Sequence, residues 1–233
     1  MKKSCVAILI TSSFLSIIPA TRAGVIADWT FESSIPSGTG PGSVGPFNAE
    51  IGTGSAYAVG LGAISSPAGN GSPHSLSANG WTNAIPASSY YQFNVSTVGN
   101  SGIGVTFDQT SSATGPANFQ LQYSTDGISF ATFASYSPLV NASPNPVWNM
   151  STSSSLYTFS FDLSPITALN NASTVDFRLL ETGLTSENGG TIAFGGTDRV
   201  DNFIVSSVPE PSTLALSGLA AIFGLAGILR RKS

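Results

Sequence analysis

Apolar and polar residues alternate with a period of two along most of the interior of the chain. The clearest run is Tyr157, Phe159, Phe161 and Leu163, with Thr158, Ser160 and Asp162 on the opposite face. The pattern recurs at Tyr91/Phe93/Val95, Ile103/Val105/Phe107, Phe119/Leu121/Tyr123, Val175/Phe177/Leu179 and Phe203/Val205. Residues two apart on a strand share a face, so each run predicts a short strand that is apolar on one side only. No long stretch shows the 3.6-residue period of an amphipathic helix. Clusters of Gly, Pro, Ser and Asn separate the runs. Many such strands predict an all-β body of two stacked antiparallel sheets, in which Tyr91 points inward and Tyr90 outward. Ser33–Gly54 and Ser137–Ser155, rich in Gly, Pro and Ser, read as loops at the ends of this sandwich.

Both ends of the chain depart from the pattern. Residues Met1–Ala23 carry Lys2 and Lys3, then the apolar stretch Cys5–Ile18, then Thr21-Arg22-Ala23. That order predicts an N-terminal signal helix cleaved after Ala23. The sole cysteine, Cys5, leaves with it, so the body holds no thiol for a disulfide or a thiolate metal site. Thr213–Leu229 is an uncharged apolar run of 17 residues, at the short limit of about 17–25 for a transmembrane helix. The basic stop Arg230, Arg231 and Lys232 follows at once and would hold the C-terminus in the cytoplasm. The chain therefore divides into a signal peptide (1–23), a β-sandwich ectodomain (24–206) and a C-terminal segment (207–233). Ser206–Ser212 serves as the linker to the membrane span.

Charge follows the same division. Charged residues make up 9% of the chain, against about 25% in ordinary soluble domains. Six of the eight basic residues lie in the two end segments, leaving Arg178 and Arg199 against eleven acids between Gly24 and Val208, a net charge of −9. A body this poor in cations has no patch to neutralise phosphates, which excludes nucleic acid as a partner.

Three stretches carry resemblances. Val208-Pro209-Glu210-Pro211-Ser212, the Gly/Ala/Leu-rich span and the basic cluster, in that order and spacing, resemble the PEP-CTERM sorting signal of Gram-negative bacteria that make exopolysaccharide. The resemblance implies Pro209, Glu210, Pro211 and Ser212 as the sorting motif, exosortase as partner, and a protein tethered to the membrane and then released to the cell surface or matrix. Two prolines also hold the segment extended, a conformation a protease can bind as a strand. Tyr90–Phe107 followed by Phe119–Phe130 resembles secreted jelly-roll, galactose-binding-like domains, with Asp126-Gly127 as the tight turn between strands Phe119–Ser124 and Ser129–Phe133. Asp28-Trp29-Thr30-Phe31-Glu32 and Arg199–Val205 are similar to terminal segments of carbohydrate-binding modules in that superfamily. That likeness implies a structural calcium ion held by Glu32 and Asp201, with Asp28 or Asn202. Solvated edge acids, or an Asp201 paired with Arg178 or Arg199, are the alternative reading of the same residues.

Candidate binding chemistry comes from rings. Trp81, Trp148 and Tyr90 lie near expected loops or strand ends, where flat rings could stack on sugar faces while Asn and Asp accept hydroxyl hydrogen bonds; packing into the core is the competing role. Catalysis has little to work with. His74 is the sole histidine, and Asp198 and Asp201 are too close in sequence to face each other across a cleft as a glycosidase pair would. The expected function is a non-enzymatic surface or matrix protein, with carbohydrate binding to exopolysaccharide as the alternative.

Overall fold

The computed structural model describes residues 24–81, 88–141 and 143–209. The expected signal helix with its Ala23 cleavage site, Glu210, Pro211, Ser212, the transmembrane run and the basic stop lie outside these residues. Among the described residues no helix is long and apolar enough to cross a membrane.

Two sheets form the body. The first contains β1 (Gly24–Trp29), β2 (Gly38–Thr39), β4 (Ile51–Gly52), β6 (Ala63–Ser65), β7 (Leu76–Ala78), β9 (Asn100–Ser111), β12 (Leu139–Val140), β13 (Thr158–Asp162) and β15 (Asp198–Pro209). The second contains β3 (Ser43–Asn48), β5 (Gly54–Val59), β8 (Tyr90–Val95), β10 (Phe119–Ser124), β11 (Ala131–Tyr136) and β14 (Val175–Glu181), in the order β11-β10-β14-β8-β5-β3. All pairings are antiparallel except that of β12 with β9. This is the expected all-β sandwich.

The alternation determines the core. Tyr91, Phe93 and Val95 of β8, Ile103, Val105 and Phe107 of β9, and Val175, Phe177 and Leu179 of β14 are all buried. At the centre Phe203 of β15 stacks on Phe93 across the sheets, with ring centroids 3.5 Å apart and planes 1° apart. Trp29 meets both rings edge-on, at 5.3 and 5.9 Å. Phe159 and Phe161 of β13 reach Tyr136 of β11, closing one side of the sandwich, while Thr158, Ser160 and Asp162 are exposed as expected.

Four local expectations are corrected. Ser33–Gly54 is not a loop throughout: it contains β2, β3 and β4, and β3 pairs with β5 as an edge strand. Pro46 is tolerated there because an edge strand leaves one row of backbone groups unpaired. Ser137–Ser155 contains β12, laid parallel against Thr110 and Ser111. The linker expected from Ser206 does not begin there. Ser206 and Ser207 pair on both sides, with Val25 and Gly24 of β1 and with Gly104 and Ile103 of β9, and Ser207 donates a hydrogen bond to Asn100. The turn at Asp126-Gly127 is wider than expected, and its second strand starts at Ala131. Asp126 Oδ1 accepts from the N–H groups of Ile128 and Ser129, at 2.9 and 2.7 Å, so the side chain replaces the first ladder bonds. Those donors hold the Asp126 carboxyl down to about 2. Gly127 supplies the positive φ, 70°, that the turn needs.

Candidate functional site

Alternation that sends one set of side chains into the core sends the other set out, and the order of the second sheet brings three outward sets together. Tyr57, Gln92 and Arg178 form one row across β5, β8 and β14. Ser55, Asn94 and Asp176 form the next, and Val59, Tyr90 and Leu180 a third. These strands lie far apart in sequence. Eight of these residues, including Tyr57, Tyr90, Gln92, Asn94, Asp176 and Arg178, line an open cleft of about 590 Å³.

Hydrogen bonds fix the polar groups of the cleft. Asp176 Oδ1 accepts from Gln92 Nε2 and Asn94 Nδ2, both at 3.0 Å. The Gln92 amide turns its oxygen to Arg178, whose Nε donates to it at 2.8 Å. The Arg178 guanidinium carbon lies 4.1 Å from the centroid of the Tyr90 ring and 3.4 Å from that of Phe130, a cation held between two aromatic faces. Burial lowers the pKa of Arg178, opposed by its proximity to Tyr90 and Asp176. The result is an ordered surface of rings, amides, one carboxylate and one guanidinium.

Of the three rings expected to bind, Tyr90 lies in this cleft. The two tryptophans do not. Trp81 is buried, its Nε1 donating to the Ala78 carbonyl at 2.9 Å and its ring set edge-on against Tyr91 and Phe119. Trp148 is 3% exposed, donates to the Ala68 carbonyl at 2.7 Å and packs edge-on against Tyr157. Each indole finds its one hydrogen-bond acceptor inside the fold, so burying the large ring leaves no polar group unpaired. Neither ring offers a face to a ligand.

The expected calcium residues separate into two places. Asp201 Oδ2 accepts from the Asn70 N–H and the Ser72 hydroxyl, and Glu32 Oε1 accepts from the His74 N–H, so both acids hold the loop before β7. Asn202 donates its amide to Asp108 and Asp201 and occupies a bulge in β15 at φ 50°. Asp28 stands apart, with Oδ1 buried and unpaired and its pKa raised by burial and by Glu50. Burial likewise raises Asp201, to about 7. Asp198 and Asp201 sit on opposite faces of β15: Asp198 Oδ1 meets Gln109 in the interior, while Asp201 meets the loop.

The cleft also contains outward residues that were not among the expected binding residues: Tyr57, Gln92, Asn94, Asp176 and Arg178. Their signal was present in the polar half of each alternation. What was absent was the knowledge that β5, β8 and β14 are neighbours.

The described chain is thus a two-sheet antiparallel sandwich with a polar, ring-bearing cleft on one sheet. Residues 207–232 match the PEP-CTERM protein-sorting motif. The motif indicates an exported protein held at the membrane by its C-terminus before processing. It begins inside β15, whose last three residues it includes. No curated protein matches the chain. Among solved structures it is similar to the K3 cleaved adhesin domain of Lys-gingipain from Porphyromonas gingivalis, at 14% identity, covering 78% of this chain and 98% of that one, with a TM-score of 0.42. It is also similar to the CBM22-2 xylan-binding domain from Paenibacillus barcinonensis, at 15% identity, 78% and 99% coverage and a TM-score of 0.42. A third similar structure is TmCBM61 in complex with β-1,4-galactotriose, at 10% identity, 57% and 70% coverage and a TM-score of 0.31.

Proposed function

We propose that this chain is an exocellular glycan-binding protein: its C-terminal motif is sorted by exosortase, and the cleft on the second sheet binds a polysaccharide of the surface or matrix. One observation carries the binding reading, the three rows of outward residues that place Tyr57 and Tyr90 beside amide, carboxylate and guanidinium groups in one cleft. Rings take the apolar faces of sugars, and fixed amides and carboxylates take their hydroxyls. The test is a glycan array probed with the full chain in a detergent that has no sugar head group. At least one oligosaccharide binds, and Tyr57→Ala with Tyr90→Ala weakens it at least tenfold while the melting temperature stays within a few degrees. Binding to no glycan, or binding unchanged in the double variant, removes the reading.

A separate proposal concerns calcium. Asp201 Oδ2, Ser72 Oγ and the His74 carbonyl oxygen crowd the same small volume before Gly69, where a Cβ would lie 2.1–2.2 Å from each. That is oxygen chemistry suited to a hard cation. Among the described residues no three His, Cys, Asp or Glu side chains come together, so carbonyl and hydroxyl oxygens would complete the set with Glu32 and Asp201. Saturating calcium at about 100 times its Kd adds about 2.7 kcal/mol to stability. That corresponds to a melting point about 5–10 °C higher for a domain of this size, and Asp201→Asn abolishes the rise. Equal melting points in calcium and in chelator would retire the idea.

A further inference from the structure

Among the described residues Arg178 is a cation with no ion-pair partner. Among the described residues its only hydrogen bond is the one from Nε to Gln92, although the acid Asp176 lies two residues away on the same face of β14. Gln92 prevents the pairing. It sits opposite Arg178 in the register, gives its oxygen to the arginine and its nitrogen to Asp176, and so occupies the facing side of both. Stacking between Tyr90 and Phe130 fixes the plane of the guanidinium. Its two terminal nitrogens, with four N–H donors, are left to whatever enters the cleft.

A planar fork held in advance loses little freedom on binding, and its natural partner is a planar anion that accepts two parallel hydrogen bonds. Asp176 Oδ2 is left over in the same way and suits a sugar hydroxyl rather than a second anion. The wider charge distribution sets how many acids the ligand carries. With −9 on the body and only Arg178 and Arg199 positive, a densely charged polyanion is repelled, while one carboxylate placed at Arg178 is not.

We propose that the cleft selects a glycan bearing a uronic acid, whose carboxylate pairs with Arg178 while neighbouring neutral sugars lie along Tyr57 and Tyr90. This rests on the glycan-binding reading and names the ligand class of the same site. The test measures affinities of the full chain for matched oligosaccharide pairs on several backbones, each neutral chain beside the same chain with one uronate, at 0.15 M salt. For at least one pair the uronate form binds ten times or more tighter. Arg178→Gln brings that ratio to near one. Arg178→Lys, which keeps the charge and loses the fork, retains part of the preference. If neutral chains bind but the uronate brings no advantage, or the preference survives Arg178→Gln, the acid selectivity is wrong and glycan binding stands. If no member of any pair binds, both fall together.

Discussion

Replacing Phe203 with alanine is expected to lower the stability of the domain by about 3–5 kcal/mol, a large part of the 5–15 kcal/mol that a typical domain has. Phe203 is fully buried and its ring contacts Phe93, Phe107, Trp29 and Phe177, which come from both sheets. Truncation removes the apolar surface of the ring and also opens a cavity that none of these rigid neighbours can fill, because each is fixed in turn by its own strand. Phe203→Leu fills most of the volume and is expected to cost less than half as much. Urea denaturation followed by tryptophan fluorescence reads both: the midpoint falls while the slope stays constant. A loss below about 1 kcal/mol for the alanine variant would show that the two sheets do not depend on this stack.

Phe203 also shows how far the alternation carries. It and Val205 were legible as inward residues, as were Tyr91, Phe93, Phe107 and Phe177, because a strand with one wet face leaves no other arrangement. Between Val200 and Phe203, both buried, the spacing is three rather than two. Asn202 accounts for it, occupying a bulge where two residues of β15, Asn202 and Phe203, oppose the single Phe107 of β9 between Asp201/Asp108 and Ile204/Thr106. A simple period of two cannot show such an insertion. Burial of the tryptophans was hidden for another reason. Whether an indole in a loop faces water depends on whether the fold brings a carbonyl to its N–H, and Ala68 lies 80 residues from Trp148.

The candidate site was half legible. Glu32 and Asp201, grouped from sequence as cation ligands, both accept hydrogen bonds from the loop before β7, and Tyr90 was placed outward. The rest of the cleft depends on which strands become neighbours. Gln92 is informative as a residue because β14 lies beside β8; along the chain, 86 positions separate it from Arg178. In the sheet of a sandwich, pairing of distant segments determines what a surface can bind, whereas local pattern determines what the core contains.

Asp198→Asn is expected to stabilise the domain at neutral pH. Asp198 is fully buried, and burial raises its pKa well above the ordinary value, with Glu187 adding to the effect. The hydrogen-bond pattern accommodates a protonated Asp198. Ser111 Oγ lies 2.7 Å from the Pro116 carbonyl and 2.9 Å from Asp198 Oδ2, yet a hydroxyl has a single proton. If that proton goes to the carbonyl, Asp198 must supply the other one, donating from Oδ2 while Oδ1 accepts from Gln109. An asparagine amide reproduces that arrangement without needing a proton. The sign follows from linkage. The folded wild type holds a proton that the unfolded chain releases above about pH 4, so raising the pH favours unfolding by about 1.36 kcal/mol per pH unit until the folded carboxyl itself ionises. Glu181, Glu187 and Asp201, each raised to about 7 by burial, add to the same slope and remain in the variant. Urea midpoints measured at pH 4.5 and pH 8 should therefore nearly coincide for the two proteins at the lower pH and separate at the higher, with the variant the more stable. A variant weaker than the wild type at both pH values would mean that Asp198 is ionised in the fold and that Gln109 and Ser111 are there to solvate its charge.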